Sequence, residues 1–417
     1  MPRNVLLTFV GATPYKKCLY YLDEQRISGE VRFVQEALGQ LVCRSWGPED
    51  TIYVFLTTEA QEQNWEGAEG LAQKLRNLQL ACRVEPVDKL TTGFTEQDIW
   101  TNFQRIFNCL EEGDKVWLDI TNAFRSIPLF TSVLVHYARF LKNIDLQAVY
   151  YGAFDVLGPA YNIDERIPNV QDRRVPLLNL VNVIALQHWT SAANDFLHHG
   201  NAKELSRLAG QAGFAHLAQT LESVTLAFAV SRGREIMQGK IFSNLREEIT
   251  QSQEQLEQIA PLKPLLEQVK TAFSVFSEDN TLNGISAARW CLEHKLIQQG
   301  ITILRETIIS MVCRQGSLNE SEYYNNRRHV ELAFGCFGRD LDDWKTKRVP
   351  YEQINTIMNI PAFQLLANVY QTLSHEYRND INHGGFLDWA KPAPDFERIL
   401  NESLSEIERL ITNNPAV

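Results

Sequence analysis

From residue 5 to about residue 155, short β-branched runs alternate with amphipathic stretches at helical spacing. The runs at 5–10, 51–57, 82–87, 115–120 and 147–152 predict strands, each separated from the next by enough chain for a helix. Crossover helices are predicted at 31–41, 67–78, 96–110 and 124–141, and Tyr20-Tyr-Leu-Asp23 adds a short extra strand before the first of them. Such βαβ repetition predicts a mainly parallel, doubly wound, Rossmann-like sheet.

Between residues 155 and 176 the pattern weakens, and Gly158-Pro159, Ile167-Pro168 and Val175-Pro176 mark turns or a small hairpin. Beyond residue 177 strand signals nearly vanish, while helical periodicity is sustained through 180–198, 203–231, 245–276, 284–313, 362–381 and 396–411. The expected organisation is an α/β domain over 1–176, with 155–176 as its connector, followed by an all-helical domain over 177–417. No internal repeat is visible.

Composition supports two folded cores: 44% of the residues are apolar, 22% are charged, and no low-complexity tract interrupts them. A net charge of −11 argues against a chain that coats nucleic acid non-specifically, since phosphate neutralisation drives such binding. Nucleic acid, if handled, is handled locally. The densest basic clusters, Arg327-Arg328-His329 and Lys345-Thr-Lys-Arg348, read as solvated loop charge. The seven cysteines are scattered and never form C-x-x-C, so they read as reduced thiols, with neither a disulfide framework nor a zinc site. The first strand follows the N-terminus too closely for a signal sequence, and no apolar run approaches the roughly 20 residues that span a bilayer. A cytoplasmic protein without membrane association is expected.

Open parallel sheets bind ligands outside the carboxyl ends of their strands. Three loops there have suitable chemistry. Gly11-Ala-Thr-Pro-Tyr15 offers small residues, backbone N–H groups and the Thr13 hydroxyl; Thr57-Thr-Glu-Ala60 follows the next long strand. Thr121-Asn-Ala-Phe-Arg-Ser126 gathers polar groups and Arg125 at a predicted helix start. The first loop lacks G-x-G-x-x-G, which disfavours a redox dinucleotide. Taken as a set, the loops favour a nucleotide-like ligand, although Thr13 and Asn122 taken singly are equally suited to capping a turn or helix.

In the helical half, Tyr377-Arg-Asn-Asp-Ile-Asn-His-Gly-Gly385 sets Arg378 and His383 in R-x-x-x-x-H, with the two glycines ending the helix. On an ideal helix residues five apart differ by about 140° in direction, yet a long arginine and a histidine at a helix end can still address one point. Two such helices across a two-fold axis would bring two pairs together. Histidine can relay a proton to or from the 2′-hydroxyl or the leaving 5′-oxygen, and guanidinium stabilises charge on the phosphate. Asn379 and Asn382 are placed to orient either group. The simpler alternative is that Arg and His complement the helix dipole. His375-Glu376 opens an H-E-x-x-H pattern, but Asn379 stands where the second histidine belongs.

These residues together resemble the CARF-HEPN ribonucleases of the Csx type, associated with type III CRISPR systems. The resemblance is carried by Val10-Gly-Ala-Thr-Pro-Tyr15, Leu56-Thr-Thr-Glu-Ala60 with Asn64-Trp65, Asp119-Ile-Thr-Asn-Ala-Phe-Arg-Ser-Ile-Pro128, Gln299-Gly-Ile-Thr302 with Glu306, and Arg378-Asn-Asp-Ile-Asn-His383, in the family's order. It implies a CARF domain that binds cyclic oligoadenylate, cyclic tetra-adenylate first among the ring sizes, followed by an all-α HEPN domain. It further implies a homodimer or higher homo-oligomer in which the activator is allosteric, no cofactor is used, and single-stranded RNA is cleaved without a metal to 2′,3′-cyclic phosphate ends. Ligand contacts would map onto Gly11, Ala12, Thr13, Thr57, Thr121, Asn122 and Arg125. Catalysis would map onto Arg378 and His383, with Asn379 accessory. Two rival readings are a sensor whose helical domain recruits a partner without cutting, and a ring nuclease that only degrades the messenger.

Overall fold

The computed structural model describes residues 2–91, 95–122, 127–255, 261–339 and 351–414. It divides into two units, Met1–Ala185 and Leu186–Val417.

The first unit is built on a seven-stranded sheet. Its strands are β1 (Asn4–Phe9), β2 (Leu19–Tyr21), β3 (Thr51–Thr57), β4 (Arg83–Leu90), β5 (Lys115–Asp119), β6 (Asp145–Gly152) and β7 (Arg174–Asn179), in the order β2-β7-β6-β5-β1-β3-β4. Every pairing is parallel except β6 with β7. The five expected long strands and the short one at Leu19–Tyr21 are all present. β7 crosses the expected limit at residue 176 and pairs with both β2 and β6, so the sheet extends past that limit, while residues 155–173 ahead of it hold short helical turns.

Successive side chains of β1 enter opposite cores. Leu6 and Val10 pack with the helix Val34–Leu41 and with Leu71 and Leu75. Val5, Leu7 and Phe9 pack with Phe103, Ile106, Leu134, Val135 and Ala138. Burial on both faces is why the strands read as continuous apolar runs, as parallel sheets require. The chain runs outward from β1 to β3 and β4, then returns to place β5 on the other side of β1. The order therefore reverses between β1 and β5, where a doubly wound sheet opens a crevice at its carboxyl edge.

The second unit is helical. Its centre is the helix Ile297–Gln315, with twelve buried residues spread around its circumference. It packs among Phe334, Phe363, Tyr370, Leu400, Leu404 and Ile407. A second cluster stacks Phe242 on Phe276 at 3.9 Å and sets Phe273 against Trp290 at 4.8 Å. Two of the long helical expectations are each broken in two. The stretch 203–231 becomes Lys203–Gln211 and Ala215–Ala229, because Gly213 takes φ +90° between them. The stretch 284–313 becomes Asn283–Glu293 and Ile297–Gln315, with Lys295 in the left-handed region. Helices Arg327–Cys336 and Tyr351–Met358 have no counterpart in the sequence reading.

Among the described residues no helix is long and apolar enough to cross a membrane. All seven cysteines are free, and six are buried. Burial pushes the thiols of Cys18, Cys291 and Cys313 up to about 12, which keeps them protonated and unreactive.

Candidate functional sites

The crevice between β1 and β5 joins most of the expected ligand residues. A Cβ on Gly11 would stand 3.9 Å from Asn122 Cβ and 3.9 Å from Thr13 Oγ1, so the loops after the two strands converge. The loop after β3 is tied to them by Asn64, which is 2% exposed; its Nδ2 donates to the carbonyls of Gly11 (2.9 Å) and Thr13 (3.0 Å). The sequence signal for this clamp was present in Asn64-Trp65, but a buried asparagine's role is invisible until its acceptors are known.

Several backbone and hydroxyl groups expected to face a ligand are spent internally. The Gly11 N–H donates to Tyr15 Oη at 2.8 Å. The Thr57 Oγ1 accepts from Ala60 N at 3.2 Å, capping a short helical turn while keeping its own proton to donate. The Thr121 hydroxyl donates to Asp119 Oδ1 at 2.6 Å and accepts from Gly152 N at 2.8 Å. Left over are the exposed Thr13 hydroxyl, the Ala12 and Thr13 N–H groups, which have no acceptor among the described residues, and the Asn122 amide. Asn122 Nδ2 is sealed from solvent without a partner. A buried orphan donor costs roughly 1–3 kcal/mol, so it marks a place where an acceptor is missing. Arg125 lies outside the described residues.

Beneath the crevice sits Asp119, fully buried. Its Oδ1 accepts from both Thr121 N (3.0 Å) and Thr121 Oγ1, and its Oδ2 from Thr8 Oγ1 (2.5 Å). Gln35 Nε2 reaches Thr8 Oγ1 and Phe9 O. Burial raises the Asp119 pKa, opposed by the hydrogen bonds from Thr121 and Thr8.

In the helical unit, Pro361–Gln371 runs into a π-helical stretch, Thr372–Arg378, and one last α turn, Asn379–Asn382. The widened turns lie before Arg378; from Arg378 to His383 the chain follows an ordinary α turn, so the ideal-helix difference in direction still separates the two. Both side chains are exposed. With its amide turned to satisfy both groups, Asn382 accepts from Arg378 Nε and Nη1 at 3.1 Å each, which fixes the guanidinium one residue from the imidazole. Asn379 contributes its carbonyl, which accepts from His383 N at 3.1 Å. Asn382 is thus the asparagine that holds Arg378.

Behind this helix lies a charged network. Arg305 pairs with Glu306 and with Glu331 (3.0 Å), donates to Ser374 Oγ (3.1 Å), and lies over the Tyr370 ring. Arg327 pairs with Glu306 and Glu320, at 2.7 Å each. Its side chain is only 12% exposed, which corrects the reading of Arg327 as solvated loop charge. It opens a helix that packs against the central one, where its guanidinium finds four acceptors, on Glu306, Ser310 and Glu320. Arg328 is exposed and His329 is partly buried, with its pKa lowered by burial. The Lys345–Arg348 cluster lies outside the described residues. Ser374 links the network to the π-helical stretch that carries Arg378.

Three further histidines serve structure. His294 stacks on Trp290 at 3.8 Å, and its two ring nitrogens lie 2.7 and 2.9 Å from the carbonyls of Trp290 and Leu197. His198 and His199 close a helix ahead of Gly200, which takes φ +67°.

Two matches to known proteins bear on these sites. The family model for CRISPR-associated protein MJ1674, second domain, matches residues 185–281. CRISPR-associated protein MJ1674 of Methanocaldococcus jannaschii is 24% identical over 330 residues, covering 76% of this chain and 48% of that protein. The chain therefore spans about half the length of this curated relative.

Proposed function

We propose that the chain is a cyclic oligoadenylate-activated endoribonuclease of type III CRISPR defence, with a CARF sensing domain in the α/β unit and a HEPN ribonuclease domain in the helical unit. The observation that carries this reading is the solvent-facing helix end that carries both Arg378, held by Asn382, and His383. An imidazole and a guanidinium carried on one exposed helix end suit phosphodiester transesterification. The first moves the proton of the 2′-hydroxyl or of the leaving 5′-oxygen, and the second neutralises the charge that develops on the phosphate. The RNA's own hydroxyl is the nucleophile, so the products carry 2′,3′-cyclic phosphate ends and no metal is required. Two chains in a homodimer, or a higher homo-oligomer, would contribute an Arg378 and His383 each.

The α/β crevice supports the sensing half. Its opening at the strand-order reversal, the exposed Thr13 and the unpartnered Asn122 amide suit a ring of phosphodiesters and bases.

The test is incubation with labelled single-stranded RNA in EDTA, with and without cyclic tri-, tetra- and hexa-adenylate. Stimulated cleavage to cyclic-phosphate ends is expected, with tetra-adenylate the strongest activator, and its loss in His383→Ala. No stimulation by any ring, or equal cleavage by His383→Ala, removes the reading.

A further inference from the structure

The segment after His383 has a structure that the chemistry above does not use. Gly384 and Gly385 take φ +61° and +74°, and Phe386 N donates to His383 O at 3.2 Å. The Phe386 ring folds back beside Gly384, whose absent Cβ would stand 3.6 Å from its Cδ2 and 3.8 Å from its Cε2. That ring is 93% exposed, and Trp389 is 45% exposed. The loop is tied at both ends. Its start caps the Arg378 helix, and at its far end Lys391 N donates to Asp380 Oδ2 at 2.7 Å, with Asp380 buried in the same helix. Lys391 Nζ pairs with Glu376 at 2.9 Å and lies over the Tyr377 ring, and Ala390 N closes a turn onto Leu387 O.

Single exposed apolar residues are ordinary. Two exposed rings on one clipped loop, three and six residues past His383, are a paired feature. We propose that Phe386 and Trp389 are a base-stacking platform for single-stranded RNA, holding an unpaired nucleotide beside Arg378 and His383; the proposal rests on the ribonuclease reading and names how its substrate is recognised. The occupant follows from the mixed character of this rim. Ring faces suit a base, while the neighbouring guanidinium and imidazole suit a phosphate. Asp388, exposed and between the two rings in sequence, repels phosphate and so favours contact through bases rather than backbone on this loop. Because every base has a π-face, such a platform tolerates sequence; because paired bases are already stacked, it discriminates against duplex.

The experiment uses the full chain carrying His383→Ala to prevent cleavage, with anisotropy of a short labelled oligoribonucleotide, single-stranded or duplex. Adding Phe386→Ala is expected to weaken single-strand binding roughly 5- to 150-fold, the range of one lost base stack. Phe386→Trp is expected to keep it, and Phe386→Leu to lose it. Duplex should bind weakly and respond little. In the otherwise unaltered chain Phe386→Ala should raise KM more than it lowers kcat. Unchanged affinity in Phe386→Ala, or full rescue by leucine, overturns the platform. So does a loss of binding that accompanies conversion of dimer to monomer in sedimentation, which would assign the ring to contact with a second copy. Normal cleavage with unchanged KM in Phe386→Ala sinks the platform and spares the ribonuclease reading. Stacking-dependent binding by a chain that never cleaves does the reverse.

Discussion

Asp119 is the residue on which the ligand crevice is built, and its charge is the means to test that. Burial raises its folded-state pKa above the ordinary value of 3.8, so the folded chain holds the proton over a range where the unfolded chain has released it. A raised carboxyl contributes stability that is full below the unfolded value and lost as pH climbs through the folded one. Asp119→Asn cannot ionise and escapes that loss. Its stability relative to the parent, by urea unfolding, should therefore rise with pH from about 4 upward and level off once the folded-state group has ionised. A flat difference across this range would mean the carboxyl titrates as it does unfolded. Asp119→Ala should instead cost about 2–4 kcal/mol at neutral pH, because the Thr121 N–H and hydroxyl and the Thr8 hydroxyl lose their acceptor. At this scale the sequence was legible only in part. It located Gly11, Thr57, Thr121 and Asn122 at the right strand ends, but the Gly11 N–H and the Thr121 hydroxyl proved to be spent internally. Gly152 is distant in sequence, and although Tyr15 and Asp119 are near, the folded loops rather than a local pattern turn their side chains to these partners.

Elements were more legible than their junctions. Strand positions follow from continuous apolar runs that only a sheet buried on both faces allows, and β3 falls at Thr51–Thr57 as the pattern predicted. The π-helical stretch before Arg378 leaves no such trace, since one added residue per turn does not erase an apolar stripe. The helix Arg327–Cys336 was missed because its N-terminal charges look solvated until Glu306 and Glu320 are brought to them from other segments. Gly300 and Gly284 show what the helical unit asks of its glycines. A Cβ at Gly300 would lie 2.6 Å from Leu400 Cδ2, and one at Gly284 would lie 1.9 Å from Thr307 Oγ1. The glycine of Gln299-Gly-Ile-Thr302 is thus a packing residue of the central helix. Gly284→Ala should destabilise by about 1–3 kcal/mol, because buried Thr307 has no free space to yield. Gly335→Ala, inside a helix and with nothing within 4 Å among the described residues, is the control and should leave the melting temperature at or somewhat above that of the parent. Equal melting of the two variants would show that the central helix shifts to accommodate the methyl.

For the whole molecule, the proposed activation is a statement about coupling between two sites. Cyclic oligoadenylate can raise ribonuclease activity through binding only if it prefers the arrangement that also prefers RNA, and linkage makes that preference mutual. In the His383→Ala chain, which keeps RNA intact, saturating cyclic tetra-adenylate should tighten single-stranded RNA binding by some factor. Saturating RNA must then tighten cyclic tetra-adenylate by the same factor. Typical couplings are about 5- to 150-fold, well within calorimetric reach. Asn122→Ala, which removes the unpartnered amide of the crevice, should weaken the messenger directly while leaving RNA affinity in its absence unchanged. Phe386→Ala should do the converse. If each variant moves only its own ligand's intrinsic affinity while the mutual factor is preserved, the two sites are separate and the coupling resides in the protein between them. A factor of one in both directions, in a chain whose parent is stimulated by the messenger, would transfer the activation from RNA binding to the chemical step at Arg378 and His383.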